Sequence, residues 1–249
     1  MVFYPQKMIV LDTVDSTNNY AMGGIQSGAL KHGNAVFAIE QTAGKGRRGR
    51  QWLSQPGANI ILSVIAEMQW LPLSRQFHLS AATALACRDL VAQYTSEKVS
   101  IKWPNDIFIN DSKAGGLLIE TVVSGTLWQW AVIGIGVNVN QREFEDTPGR
   151  ATSLYKVNGS ELDVLSLAST LHEKVILRLQ DLHDKGFDKM LSAYNQHLYA
   201  RGRRVKLSKG NIAFETTIEE VDSQGVLHTR DVIDRSFNMD EVIFRKVLD

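Results

Sequence analysis

The chain has 249 residues, 44% of them hydrophobic, with 27 Lys and Arg against 27 Asp and Glu. That length and apolar content allow one large domain, or one large and one small, while zero formal charge argues against a generally basic nucleic-acid binder. A single cysteine, Cys87, excludes an internal disulfide framework and predicts a reducing compartment, and no apolar run reaches the roughly 18 residues of a membrane span.

Met1 to Lys7 lacks the apolar core of a signal peptide, so a cytoplasmic protein is expected. Met8 to Leu11 reads as a short strand. In Asp15-Ser16-Thr17-Asn18-Asn19, carboxylate or hydroxyl groups can cap a helix carrying Tyr20 to Ile25. Ala35 to Glu40 and Asn59 to Ala66 read as strands on either side of a glycine-rich stretch. Ser74 to Tyr94 is apolar or small nearly all round, the pattern of a buried helix, and its Cys87 reads as a structural thiol. Val99 to Trp103, Asp106 to Ile109, Gly116 to Val123 and Leu127 to Val139 read as strands, with turns at Asn110-Asp111 and Ser124-Gly125. Ser160-x-x-Asp163 resembles a capping box, followed by Leu165, Ala168, Leu171, Val175, Leu179 and Leu182 at helical spacing. Gly186 breaks that helix, and Phe187 to Tyr199 forms another. From Arg201 onward the chain changes to short strands at Val205 to Leu207, Phe214 to Val221, Gly225 to Thr229 and Val242 to Val247, a pattern that predicts a small β-barrel.

The chemistry concentrates in three places. Gly44-Lys45-Gly46-Arg47-Arg48-Gly49-Arg50-Gln51-Trp52 alternates glycines with four cations. Glycine lets backbone approach a ligand, and guanidinium forks suit carboxylate and phosphate. Alone, such a run also reads as a solvated face or a nucleic-acid patch. It is not a Walker A loop, since no Gly-Lys-Ser/Thr follows. Lys102-Trp103-Pro104-Asn105-Asp106 and Lys113-Ala114-Gly115-Gly116 add further cations and glycines between strands. Cationic loops holding two anions suggest activation of a carboxylate by ATP, in which cations neutralise and align the reacting groups and a metal ion carries the pyrophosphate charge. The six histidines show no ligand spacing, so no protein-only metal site is expected.

These motifs resemble the bacterial biotin protein ligases (biotin–acetyl-CoA-carboxylase ligases). The family's G-R-G-R-x-G-R loop and its tryptophan are matched from Gly44 to Trp52, with Lys45 replacing the first arginine. Lys102 to Asp106 matches Lys-Trp-Pro-Asn-Asp. Lys113 to Glu120 matches Lys-x-x-Gly-hydrophobic-hydrophobic-x-Glu, Gly134 to Asn138 matches Gly-x-Gly-x-Asn, and Asp15 to Asn18 matches an early Asp-Ser-Thr-Asn. The resemblance implies an α/β (α+β) fold: a mixed-sheet catalytic domain with flanking helices over residues 1–200, and an SH3-like β-barrel over 201–249. It implies biotin and ATP as substrates, Mg2+ with the ATP, and a lysine of a biotin carboxyl carrier protein as acceptor. A lipoate or octanoyl ligase of the same fold is the alternative, and it lacks the arginine–glycine loop.

Position by position, the resemblance gives Ser16, Thr17, Asn18 and Gln41 to the biotin head group. Gly44, Lys45, Gly46, Arg47, Lys113 and Gly116 fall to the rest of biotin and its carboxylate. Arg47, Arg50, Trp52, Asn105, Asp106, Lys113 and Asn138 fall to the nucleotide, with Lys113 and Arg47 catalytic. Lys45 keeps the charge of arginine and loses its fork. The loop is expected to be mobile until a ligand supplies negative charge, because its cations repel, and Gly46 is expected to need glycine's freedom. With only a short strand before Asp15, the chain resembles the class without a DNA-reading domain. No specific DNA or membrane partner is expected, and a monomer and a homodimer are equally open.

Overall fold

Aliphatic and β-branched runs bounded by turn residues become strands, and here they come in two sets. The computed structural model describes residues 7–144 and 150–248, so the reading of Met1 to Gln6 lies outside the described residues. Strands β1 (Met8–Val14), β2 (Ala35–Gln41), β3 (Asn59–Glu67), β4 (Val99–Lys102), β5 (Asp106–Ile109), β6 (Ser112–Ser124) and β7 (Leu127–Asn138) form one sheet in the order β1-β2-β3-β7-β6-β5-β4. β1 and β2 are parallel and every other neighbouring pair is antiparallel, so the sheet is mixed, as expected. A parallel pair needs a crossover, and α1 (Thr17–Gln26) lies in it.

The two faces are covered differently. Helices α2 (Gln76–Val91), α4 (Val164–Lys185) and α5 (Asp188–Gln196) bury one face, with Phe77, Leu85, Leu171, Val175 and Tyr194 in the shared core. Twelve of the sixteen residues of α2 are buried, which is why it is apolar nearly all round. Burial pushes the Cys87 thiol far above its ordinary range, so it is an inert core group. On the other face α1 packs Ala21 with Val36, Ile65 and Val132, and the Trp52 ring rests on Gly136 of β7.

Several local expectations are corrected. Ser16 sits at the start of α1 with extended backbone, but its side chain makes no capping bond. Gln41 of β2 supplies the acceptor instead, with its Oε1 2.7 Å from the Thr17 N–H. Helix α4 starts at Asp163, whose carboxylate accepts from the N–H groups of Leu165 and Ser166, not at Ser160. The reason is tertiary: Asn140 binds both the N–H and the carbonyl of Leu162 and holds it outside the helix. Strand β6 begins at Ser112 and not at Gly116, so Lys113 lies in a strand and not between strands. A short helix, α3 (Leu154–Asn158), was not anticipated.

Strands β8 (Arg204–Lys209), β9 (Ile212–Val221), β10 (Leu227–Arg230), β11 (Asp234–Phe237) and β12 (Ile243–Val247) form a second, antiparallel SH3-like sheet in the order β11-β10-β9-β8-β12. Of these, β11 was not anticipated. The turn after β9 seats this sheet on the helices. Trp103 Nε1 donates to the Gly225 carbonyl at 3.0 Å, and Asn195 binds both backbone groups of Val221. Gly225 has φ +84, and a Cβ there would stand 2.6 Å from the Phe77 ring, so this position needs glycine twice over.

Four histidines give the fold an acid sensitivity. His172 is buried with Nε2 2.8 Å from the Gly33 carbonyl, and burial holds its pKa below the ordinary 6.5. Burial likewise lowers His32, His78 and His197. A depressed folded pKa means that the unfolded chain takes up protons first as pH falls below about 6.5, so stability present above that pH is lost below it. The melting temperature is therefore expected to fall between pH 7.5 and 5.5, and His172→Gln to flatten that slope. A melting temperature constant over this window would contradict the assignment.

Candidate active site

The site starts from missing side chains. Gly116 of β6 pairs with Gly136 of β7, and Leu118 pairs with Gly134. A Cβ on Gly134 would lie 2.5 Å from Asn18 Oδ1, and one on Gly136 2.5 Å from the Trp52 ring. A Cβ on Gly116 would lie 3.2 Å from both Asp106 Oδ1 and Lys113 Nζ. The alternating glycines thus clear the sheet face on which Asn18, Trp52 and Lys113 rest.

At the α1 end of this floor lies a polar cluster. Thr17 Oγ1 donates to Gln41 Oε1 at 3.1 Å, and Ser63 Oγ donates to Asn18 Oδ1 at 2.6 Å. The two hydroxyl oxygens stand 2.8 Å apart, and Asn18 Nδ2 donates to Glu120 Oε2 at 2.6 Å. Ser16, Thr17, Asn18 and Ser63 are all buried. Two hydroxyl protons serve three contacts here, so lone pairs are left over for a ligand that brings N–H donors. Ser63 was missed from sequence; its only signal is one hydroxyl inside the apolar run Ile60 to Ala66.

The cations lie further along the floor. Lys113 Nζ is 2.6 Å from Asp106 Oδ1 and 5.9 Å from the centre of the Trp52 ring. Arg47 Nη1 donates to Asn105 Oδ1 at 3.3 Å, and Asn105 is itself tied to β6 through the Leu117 N–H and carbonyl. Lys45 reaches Asn19 Oδ1 and lies 3.7 Å from Glu120. Asn138 is buried and donates to the Thr152 carbonyl at 3.0 Å. Trp52 Nε1 is buried without a hydrogen-bond partner among the described residues. Arg50 is exposed and is not brought into these contacts. Lys102 is enclosed by the rings of Phe108 and Phe244 at 4.7 and 5.2 Å, and burial lowers its pKa.

Two expectations about the loop are corrected. Its cations do not merely repel one another: Asp240, in the turn before β12, pairs with both Arg47 and Arg48. Nor is Gly46 the demanding glycine. Its φ of −121 is extended backbone, and a Cβ would stand 3.2 Å from the Arg50 carbonyl. Gly44 is the tight position, where a Cβ would meet the Trp52 carbonyl at 2.5 Å. The loop closes on itself through Trp52 N–H to the Gly44 carbonyl and Gly46 N–H to the Arg50 carbonyl. Among the described residues no three His, Cys, Asp or Glu side chains are grouped to hold a metal, and no helix is long and apolar enough to cross a membrane.

Comparison with known proteins gives this arrangement its context. The model of the biotin/lipoate A/B protein ligase family matches residues 10–138. The bifunctional ligase/repressor BirA of Escherichia coli (strain K12) is 33% identical over 220 residues, which make up 88% of this chain and 67% of that protein. The biotin–[acetyl-CoA-carboxylase] ligase of Mycobacterium tuberculosis is 30% identical over 226 residues, 89% of this chain and 82% of that one. A solved structure of biotin protein ligase from Aquifex aeolicus in complex with biotin and ATP has a TM-score of 0.81 at 26% identity, covering 97% of this chain and 99% of that one. With these matches spanning the sheet, the loop and the glycine floor, the chain belongs to the biotin/lipoate A/B protein ligase family.

Proposed function

We propose that this chain activates biotin with ATP, forming biotinyl-5'-AMP and pyrophosphate, and then transfers the biotinyl group to one lysine of a biotin carboxyl carrier protein. The observation that carries this reading is the placing of a buried hydroxyl–amide cluster and a cationic group on one glycine floor. A ureido ring offers one carbonyl and two N–H groups, which suit Thr17, Asn18, Gln41 and Ser63. The attached chain then runs past Gly116 and Gly134 toward Lys113 and Arg47. There the biotin carboxylate attacks the α-phosphorus and pyrophosphate leaves. Lys113, bridging carboxylate and α-phosphate, and Arg47 stabilise the charge that develops. Trp52, lying on Gly136, offers a face for adenine, with Asn105, Asp106 and Asn138 around the nucleotide. Magnesium bound to the ATP phosphates would supply charge neutralisation for the departing pyrophosphate. In the second step the acceptor amine attacks the acyl carbon and AMP leaves.

The same cluster decides against a lipoate or octanoyl ligase. An alkyl or dithiolane tail has no N–H groups to donate to the lone pairs left over on Thr17, Asn18 and Ser63, so it gains no hydrogen bond from this cluster. The test is incubation with ATP, magnesium and either biotin or lipoate, following pyrophosphate and the label on a carrier protein. Biotin-dependent release is expected. Equal turnover with lipoate would overturn the reading.

We place the boundary between the catalytic unit and the small β unit at residues 200 and 201, just before Gly202 N–H donates to the Ile218 carbonyl of β9. A cytoplasmic protein, monomeric or homodimeric, completes the proposal. Specific DNA binding is not expected: phosphate contacts through Lys45 to Arg50 carry no sequence information and weaken steeply with salt. In a band-shift titration, any complex is expected to be sequence-independent and to be displaced by biotin plus ATP. A sequence-specific complex that persists under those conditions would contradict this.

A further inference from the structure

The C-terminal sheet reaches back to the cations of the site. Asp240 sets Oδ2 2.8 Å from Arg47 Nη2 and Oδ1 2.9 Å from Arg48 Nε. Arg48 Nη2 also donates to the Asp240 carbonyl. The turn that presents Asp240 is closed around it, with Glu241 N–H donating to the Asn238 carbonyl and Asn238 N–H donating to Glu241 Oε2. Arg48 has φ 57 and Asp240 has φ 72, a region that residues other than glycine seldom adopt. Two such residues meeting in one ionic contact mark a loop and a turn shaped to each other.

We infer that Asp240 is the resting occupant of the phosphate position: its carboxylate fills the Arg47–Arg48 guanidinium pair until a phosphate of the nucleotide displaces it, so that the C-terminal sheet latches the loop of the unliganded protein. That the displacing anion is a phosphate rests on the ligase reading; the latch itself does not. Carboxylate and phosphate present similar forked acceptors to guanidinium. The Asp240 side chain is 48% exposed, so its ion pairs are weak and screened by salt. A multiply charged phosphate chain gains more from the same two arginines. The other carboxylates beside site cations, Asp106 and Glu120, stand on strands β5 and β6 of the floor itself and have no way to withdraw. Asp240 stands on the turn between β11 and β12 of the other sheet, outside the floor.

The test uses the intact chain with Asp240→Asn and Asp240→Gly. Asparagine tolerates the left-handed backbone and removes the charge, and glycine also removes the strain. Tryptic cleavage after Lys45, Arg47, Arg48 and Arg50 in the free protein is expected to quicken about fivefold in both variants, the scale of two exposed ion pairs. Wild-type protein in about 0.5 M salt is expected to approach the variants. Both variants are expected to bind tripolyphosphate, and MgATP in the presence of biotin, about fivefold more tightly than wild type. Unchanged cleavage overturns the latch. Unchanged or weakened anion affinity overturns the displacement, and a gain confined to Asp240→Gly assigns the effect to backbone strain and overturns it as well. Tighter tripolyphosphate binding with no binding of biotin and ATP in any of the proteins would leave the latch standing and refute the ligase reading.

Discussion

Lys113→Ala is expected to slow biotin-dependent pyrophosphate release by about 10²–10³-fold while weakening biotin binding much less. The backbone at Lys113 is fixed from both directions, with its N–H donating to the Arg150 carbonyl and its carbonyl accepting from the Thr152 N–H, so the substitution removes the side chain without moving the strand. Two losses follow. The ammonium proposed to bridge the biotin carboxylate and the α-phosphate disappears, and that contact matters most as charge builds in the transition state. Asp106, now 2.6 Å from a cation, is left as an uncompensated negative charge facing two incoming anions. The head-group position proposed above, at Thr17, Asn18 and Gln41, is at the other end of the floor, so biotin binding is expected to survive. Lys113→Arg keeps the charge and is expected to recover part of the rate. Exchange of label between pyrophosphate and ATP reads the chemical step, and calorimetric titration with biotin reads binding. Adenylation at the wild-type rate would remove Lys113 from the chemistry and leave it as a strand residue that neutralises Asp106.

How much of this was legible in the sequence depended on where the deciding contacts lie. Strands β3 and β7 and helix α2 carry their signal in their own residues, because each is buried over most of its length and must be apolar there. The start of α4 was misread because Ser160-x-x-Asp163 has the local chemistry of a cap, while the actual boundary is set by Asn140 gripping Leu162 from 22 residues away. Strand β11 has no apolar alternation in Asp234-Arg235-Ser236-Phe237 and exists because β10 offers it a partner in register. In the site, the glycine loop, Lys113 and the Gly134 to Asn138 stretch could be found because their residue types are unusual in succession. Ser63 could not, since one serine in a strand announces nothing until Thr17 and Asn18 are seen beside it. Asp240 was out of reach for the same reason: it meets Arg47 across 193 residues of sequence, and only the seating of the second sheet on Trp103, Phe77 and Asn195 brings them together.

The loop's glycines are expected to divide sharply by position. Gly44→Ala is expected to lower adenylation by about 10²-fold, as a misplacement near 1 Å does at a reacting centre, whereas Gly46→Ala is expected to change it by less than about threefold. At Gly44 the new methyl group would stand 2.5 Å from the Trp52 carbonyl and 2.8 Å from Gln41 Nε2. The first of these is backbone and cannot swing aside. Relief requires parting the neck of the loop, where Trp52 N–H donates to the Gly44 carbonyl at 2.9 Å. Parting it lifts Trp52 from the Gly136 floor and carries Arg47 away from Asn105, while pressure on Gln41 disturbs the acceptor of the Thr17 N–H and hydroxyl. One methyl group therefore reaches the Trp52 ring, the Arg47 cation and the Thr17–Gln41 cluster together. At Gly46 the backbone is extended, any residue can adopt it, and the 3.2 Å approach to the Arg50 carbonyl is eased by a shift of a few tenths of an ångström in an exposed turn. Rates of biotin-dependent pyrophosphate release for the two variants, with melting temperatures to confirm folding, decide the matter. Equal losses, or the larger loss at Gly46, would mean that the glycines serve the loop's freedom to move and not the close packing of its neck.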